Sequence, residues 1–442
     1  MRNLQTNFLT LLVLASMIVS NIKSQQLNTL QVPNEVKNRM ELALQKANSM
    51  PLPDWCNTIE LKEKRSIIIE KCIRTLYHNY IKPSGDIFHE GILPSPGYYN
   101  SLWSWDSWKH AYSLAYLDKD LAENSIRALY DYQNEEGMIP DLVNVNKKKN
   151  NWANTKSPLS AWAVFEVYSA TNDLDFLKEL YPKILRYHYW WYKHRDVNSN
   201  GICEYGCENG KKEAAKWESW DEAIRQDTME LLKCKYNSYS MNIEAVDLNS
   251  YLYLEKEYLI KMASVVGDTK SAKSLQDEKK ILVEKIQKVF YNKKDGFFYD
   301  VRLKDKSFIM SREACGWLPL FAGVATKQQA KSVKGYMMNE TAFNAFLPLQ
   351  TVSKDNPKYD PGHYWRGPVW LDQFYFGYMG LKKYGYKAEA NSLLLKFIKN
   401  SDISNPGETV LHEYYNSENG KGSGADYFGW TAAHLLMLML DK

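Results

Sequence analysis

After its first two dozen residues the chain has no apolar run approaching the roughly 18 residues that a membrane-spanning helix requires. It also has no block of one charge sign: 56 Lys and Arg stand interspersed with 52 Asp and Glu, leaving a formal charge of +4 on 442 residues. The first absence argues against a membrane span and the second against nucleic acid as a partner. No tract rich in Pro, Gly or Ser divides the sequence, so residues 25–442 are expected to form one large domain. Cysteine is sparse, and Cys56, Cys72, Cys203, Cys207, Cys234 and Cys315 match no zinc or haem spacing. Cys203 and Cys207 could close a small loop disulfide in an exported protein; free buried thiols are the equal alternative.

The excluded N-terminal stretch has its own logic. Arg2 precedes a twelve-residue, largely apolar run, Phe8 to Val19, which polar Ser20, Asn21 and Lys23 follow. Residues 1–24 therefore read as a signal peptide, with Ser24 or Ser20 as small residues suited to cleavage, and the expected location is secreted or periplasmic.

Aromatic residues are abundant, with 14 Trp, 31 Tyr and 15 Phe. Strand signals are scarce, whereas helical spacing recurs. Trp105, Trp108, Tyr112 and Tyr116 fall at steps of three and four, as do Ala122, Ile126, Leu129 and Tyr130. Further helices are expected near 35–49, 61–81, 159–170, 174–193, 242–265, 270–290, 313–323, 327–338, 368–384, 386–399 and 427–440. Paired by short turns, they give six helices starting near 106, 159, 242, 313, 368 and 427, each followed by a more amphipathic partner. The architecture expected is an all-α toroid of six helical hairpins, with the aromatic-rich loops before the first helices opening on one face.

Those loops carry acids beside Trp and Tyr: Asp106 after Trp105, Asp221 after Trp217-Glu-Ser-Trp, and Glu413 before Tyr414-Tyr415. Hydrolysis of a glycosidic bond needs two carboxyl groups, one protonated to help the leaving oxygen and one ionised to activate water or attack. Aromatic walls strip solvent from a carboxyl and raise its pKa toward that of a useful general acid. A single acid beside a Trp is more often a cap or a core hydrogen bond; three in converging loops point to a site. His363 and His412 read as hydrogen-bonding loop residues.

Several of these runs resemble glycoside hydrolase family 63, in the clan it shares with trehalases. Trp105-Asp106-Ser107 resembles the clan's Tyr-Trp-Asp-Ser-Tyr segment, Ser157-Pro158-Leu-Ser-Ala-Trp162 its Gln-Pro-Pro-Leu segment, and Tyr364-Trp-Arg-Gly-Pro-Val-Trp370 the run most specific to the family. Glu413-Tyr-Tyr resembles the trehalase-type Glu-Lys-Tyr-Asp, with Phe428-Gly-Trp-Thr431 after it. The resemblance implies an (α/α)6 barrel and inversion at the anomeric carbon. It assigns Asp221 as general acid, in a run that lacks the family's glycine, and Glu413 as general base.

It also implies sugar contacts from Tyr99, Trp103, Trp105, Asp106, Trp152, Arg225, Tyr364, Trp365, Arg366, Trp370 and Trp430; for Arg366, structural pairing with an acid is an equal alternative. The activity expected is a secreted, exo-acting α-glycosidase, an α-glucosidase on a disaccharide or short oligosaccharide. The alternatives are a mannosyl- or glucosyl-glycerate hydrolase, for which Arg366 or Lys156 could meet the carboxylate, then a trehalase, and outside catalysis a glycan-binding helical module. The partner is a small carbohydrate, and no cofactor is needed for catalysis. Asp196-Val-Asn198-Ser-Asn200-Gly201 repeats the first half of a calcium loop, which Glu204, Glu208 or a distant acid could complete around a structural calcium ion; Cys207 at position twelve excludes a true EF-hand.

Overall fold

The computed structural model describes residues 30–406 and 410–442; the expected signal peptide lies outside them. The chain is mostly helical. After α1 (Lys37–Ser49) come α2 (Ile59–His78), α3 (Ser104–Leu114), α4 (Lys119–Tyr130), α5 (Ser160–Thr171), α6 (Leu174–His194) and the short α7 (Lys212–Glu218). Next are α8 (Val246–Val266), α9 (Thr269–Val289), α10 (Leu318–Ala322), α11 (Lys327–Met337), α12 (Leu371–Lys383), α13 (Lys387–Asn400) and α14 (Gly429–Leu440). Among the described residues no helix is long and apolar enough to cross a membrane.

Six helices close a ring: α3 packs on α5, α5 on α8, α8 on α10, α10 on α12, α12 on α14, and α14 back on α3. Their sequences explain why they lie inside. Every residue of α3 and of α14 is buried: α14 is apolar or small nearly all round and has no face to offer water, whereas α3 buries its charged Lys109 by pairing it with Asp372 and turns Asp106 to the cavity. Their partners α4, α9 and α13 are amphipathic and cover α3, α8 and α12 from outside.

Local chemistry marks the hairpin turns. Side chains of Asp118, Asp173 and Asp268 accept from backbone N–H groups at the starts of α4, α6 and α9, and Thr326 with Gln329 forms a capping box on α11. Gly267 ends α8 at φ +83°, a left-handed conformation that favours glycine.

Two expectations change, and one open alternative is decided. The last ring helix, α14, is covered by α2, which precedes the ring in sequence, where a following partner was expected. Residues 242–244, expected to start a helix, belong to a strand in a four-stranded antiparallel sheet made of β1 (Glu204–Cys207), β2 (Leu231–Lys233), β3 (Tyr239–Glu244) and β4 (Val301–Arg302). The central β3 pairs with all three others. Helix α8 starts only at Val246, whose N–H donates to Asp300 Oδ1 at 2.8 Å. Finally, all six cysteines are free. Cys207 ends the extended β1 and Cys203 precedes it, which puts their Cα atoms about 13 Å apart at ~3.3 Å per residue, beyond the ~7 Å that a disulfide spans.

Candidate active site

The loops leading into five of the six ring helices meet at one cavity. The segment before and into α3 contributes Pro94, Tyr99, Trp103, Trp105 and Asp106; Trp103 is aligned there by pairing of Leu102–Trp103 with Leu142–Val143. Lys156 and Ser157 come from the loop before α5, Glu218 to Asp221 from the end of α7 and the loop after it, and Tyr364 and Trp365 from the loop before α12. Glu413, Phe428 and Trp430 complete the wall from either side of the hairpin that pairs Tyr414–Tyr415 with Gly422–Ser423. The loop before α10 supplies no lining residue.

The carboxyl groups in this cavity stand in unlike surroundings. Asp221 Oδ1 is buried and has no hydrogen-bond partner. Burial pushes its pKa up to about 6, against the pull of the Lys156 ammonium. Glu413 is held on both oxygens: Oε1 accepts from Tyr364 Oη at 2.6 Å and Tyr99 Oη at 3.2 Å, and Oε2 from the Ala425 N–H at 2.9 Å. Burial raises the Glu413 carboxyl, and those donors oppose the rise by stabilising the ionised form. Asp106 is buried with Oδ1 unpartnered, and burial lifts it to about 7 despite Lys109 and Lys156 nearby.

Below the cavity floor the Lys109 ammonium lies over the rings of Trp105 and Trp430, at 3.6 and 4.0 Å from their centroids, and pairs with Asp372 at 3.2 Å. Two of the cavity's tryptophans are thus tied to one buried cation.

A column of stacked rings runs between the loops of the two acids. Trp220, next to Asp221, stacks on Trp365 at 5.4 Å, Trp365 on Trp370 at 4.0 Å, and Trp370 on Tyr414, next to Glu413, at 5.1 Å. The close approach around Glu413 also needs Gly424, at φ +80°. A Cβ there would fall 2.5 Å from Glu413 Oε2.

Of the residues expected to contact sugar, Tyr99, Trp103, Trp105, Asp106, Tyr364, Trp365 and Trp430 line the cavity with Asp221 and Glu413. The structure places four outside it. Trp370 is fully buried behind Trp365, with its Nε1–H given to the Tyr364 carbonyl at 2.8 Å. Arg225 is fully buried between Asp247 (2.7 Å) and Asp300 (3.1 Å), beneath the Trp220 ring. Arg366 is spent on Asp227 Oδ1 at 2.6 Å and the Glu222 carbonyl at 2.8 Å. Trp152 is exposed at the surface. For Arg225 and Arg366 a partner distant in sequence decided the position, for Trp370 its neighbours within the same run, and for Trp152 the lack of one.

The calcium-like loop folds as nested turns. Asp196 Oδ1 and Asn198 Oδ1 accept from the Asn200 N–H, Asp196 Oδ2 from Gly201, and Asn200 Oδ1 from Ile202. Asn200 Nδ2 donates to Glu244 Oε1 at 2.6 Å. Among the described residues no three His, Cys, Asp or Glu side chains converge as a metal site. Glu204 Oε1 and Glu244 Oε2 are nevertheless buried without partners, on residues directly opposite each other in the β1–β3 pair.

Other site residues escaped the sequence. Glu218 lines the cavity and anchors the acid loop through paired bonds to Arg195 Nε and Nη2, both 2.8 Å. Arg195 follows the end of α6, where nothing in the sequence distinguishes it from a surface residue. Phe428 and Ser157 opened recognised runs without being singled out as site residues.

The profile of the family described as the mannosylglycerate hydrolase MGH1-like glycoside hydrolase domain matches residues 98–431. Mannosylglycerate hydrolase MGH1 of Selaginella moellendorffii is 26% identical over 423 residues, 78% of this chain and 81% of that protein. Mannosylglycerate hydrolase of Thermus thermophilus is 24% identical, over 77% of this chain and 94% of the relative. Among solved structures, a family 63 mannosylglycerate hydrolase of Thermus thermophilus in complex with Tris superposes with a TM-score of 0.71 at 20% identity, covering 84% of this chain and 99% of that one. Neutral trehalase Nth1 of Saccharomyces cerevisiae gives 0.61 at 19% identity, over 80% and 73%. At these identities the structural likenesses speak for the fold.

Proposed function

The chain belongs to the mannosylglycerate hydrolase MGH1-like glycoside hydrolase family, and from that premise we propose that it is a secreted, exo-acting α-glycosidase that inverts the anomeric centre, an α-glucosidase on a neutral disaccharide or short oligosaccharide. The closed ring of six helices supports reading the architecture as an (α/α)6 barrel, and the apolar N-terminal run supports export. The observation that carries the catalytic reading is the contrast between two carboxyls in one cavity. Asp221, untethered and raised to about 6, gives its proton to the leaving glycosidic oxygen. Glu413, whose ionised form two tyrosine hydroxyls and a backbone N–H favour against the upward push of burial, removes a proton from the water that attacks the opposite face of the anomeric carbon. Asp106 accepts hydrogen bonds from sugar hydroxyls, and Trp105 and Trp430 face the ring.

Charge favours a neutral substrate. The cavity is lined by four carboxyl groups, Asp106, Glu218, Asp221 and Glu413, and a single cation, Lys156, which already donates to the Trp217 carbonyl and lies 3.7 Å from Asp141. Arg195, Arg225 and Arg366 are all paired with acids. Hydrolysis of a mannosyl- or glucosyl-glycerate is the second reading, favoured by the relatives' names; it would require Lys156 to take the glycerate carboxylate. Trehalase is the third. Incubating the protein with α-linked glucobioses, trehalose and glycosyl-glycerates, with NMR of the released sugar, separates them. The β-anomer first supports inversion; the α-anomer overturns it. Preferential cleavage of glycosyl-glycerates overturns the neutral reading.

We also propose that the loop residues Asp196, Asn198 and Asn200 hold a structural calcium ion when Glu204 and Glu244 turn toward it, since among the described residues no three acidic side chains converge there as they stand. Two buried carboxylate oxygens without partners are costly, and Lys306 reaches only Glu244 Oε1, at 2.6 Å.

A further inference from the structure

Asp221 offers its own carboxyl to no partner on Oδ1, so what aims it must act on its neighbours. The residue before it, Trp220, stacks on Trp365 with the planes 17° apart. The residue after it, Glu222, adopts φ +61°, a left-handed conformation that a side chain with a Cβ holds only when its surroundings impose it. The surroundings here are Arg366, the residue after Trp365. Its Nε–H donates to the Glu222 carbonyl at 2.8 Å, and Nη2 and Nη1 donate to Asp227 Oδ1 and Oδ2 at 2.6 and 3.4 Å. On the far side the Glu222 N–H donates to Gln226 Oε1 at 3.0 Å. Arg366 is itself fixed, since its carbonyl accepts the Asp360 N–H at 2.8 Å. Two consecutive residues of one loop therefore grip the two residues that bracket Asp221, and the planar guanidinium spans two acceptors of the acid loop at once, which an ammonium group cannot do with the same geometry.

We propose that Arg366 is a positioning residue for the general acid: by holding the Glu222 turn it fixes the direction from which Asp221 delivers its proton, without touching the sugar. The proposal rests on the reading of Asp221 as the acid. Proton delivery matters for a sugar leaving group, whose alkoxide is poor, and matters little for fluoride, which leaves with scant help.

The test compares two substrates of the same enzyme: the α-linked disaccharide cleaved best in the panel above, and the matching α-glycosyl fluoride, glucosyl or mannosyl. In Arg366→Met, kcat on the disaccharide is expected to fall at least tenfold with KM within about threefold, while kcat on the fluoride stays within about threefold. Arg366→Lys, which keeps the charge and loses the fork, should follow Arg366→Met. Adding Glu222→Gly to Arg366→Met should recover most of the lost rate, since glycine adopts a φ of +61° unaided.

Equal losses on both substrates, no loss on either, or no recovery with Glu222→Gly would overturn the proposal. Asp221→Asn is run beside them. If it too loses activity equally on both substrates, Asp221 is not the acid, and that failure is read independently of Arg366.

Discussion

The hydroxyl of Tyr364 lies 2.6 Å from Glu413 Oε1, the shorter of two tyrosine contacts on that oxygen. Tyr364 belongs to the loop that also carries Trp365 and Arg366, so one segment holds Glu413 by hydrogen bonding and the turn around Asp221 by stacking and a guanidinium fork. A neutral donor on a carboxylate favours its ionised form. Tyr364→Phe should therefore raise the Glu413 pKa further and move the acid limb of the pH profile of kcat/KM to higher pH. An unmoved limb would show that Tyr364 does not tune the base.

Asp221→Asn and Glu413→Gln should each lower kcat on the true substrate by roughly 10²–10⁴-fold, the usual contribution of general acid or base catalysis. The native profile should be bell-shaped. Activity is lost as pH rises through the Asp221 value of about 6, because the acid gives up its proton, and lost as pH falls through the Glu413 value, because the base gains one. Full activity in either variant on disaccharides would refute the assignment.

Gly424→Ala should impair the base from outside the cavity. The new Cβ meets Glu413 Oε2 at 2.5 Å and Cβ at 2.7 Å, and alanine is strained at φ +80°. A displacement of the base by ~1 Å costs on the order of 10² in kcat, so steady-state kinetics on folded protein reads the effect directly.

Arg225→Met should act on stability. It leaves Asp247 and Asp300 buried without their cation, a loss of about 3–5 kcal/mol for breaking a buried pair from one side. Chemical denaturation measures it. A variant of native stability with only KM changed would return Arg225 to the substrate.

Calcium should raise the melting temperature of protein pretreated with a chelator, and Glu204→Gln with Glu244→Gln should abolish that rise. No response of the native protein to calcium would dismiss the ion.

Local signals made the helices and hairpins legible. Residues 327–337, 174–194 and 269–289 form helices where periodicity placed them, because buried stripes at steps of three and four and capping side chains lie within the segment itself. The cavity wall was legible where acid and aromatic sit side by side in one loop, as at Trp105-Asp106 and Glu413-Tyr414. Residues 242–244 misled, because their strand is decided in part by β1 and β4, which end 32 residues before β3 and begin 57 residues after it. Arg225 and Trp370 misled for a related reason, and for Arg366 the fold decided between the two readings that the sequence left open. A guanidinium or an indole beside a motif reads as a ligand contact until the fold brings up Asp247, Asp227 or Trp365 to occupy it.

By itself, then, the sequence determined the helical repeat, the pairing of short turns and the acids carried by aromatic loops, all of which depend on residues within a few turns of one another. Only the tertiary structure decided that α2 completes the last pair, that the arginines near the cavity are neutralised, and that Trp365 and Arg366 hold the residues on either side of Asp221. Those outcomes depend on charges and rings brought together from separate segments of the chain, where electrostatic pairing and stacking act on distance in space and leave no periodic trace along it.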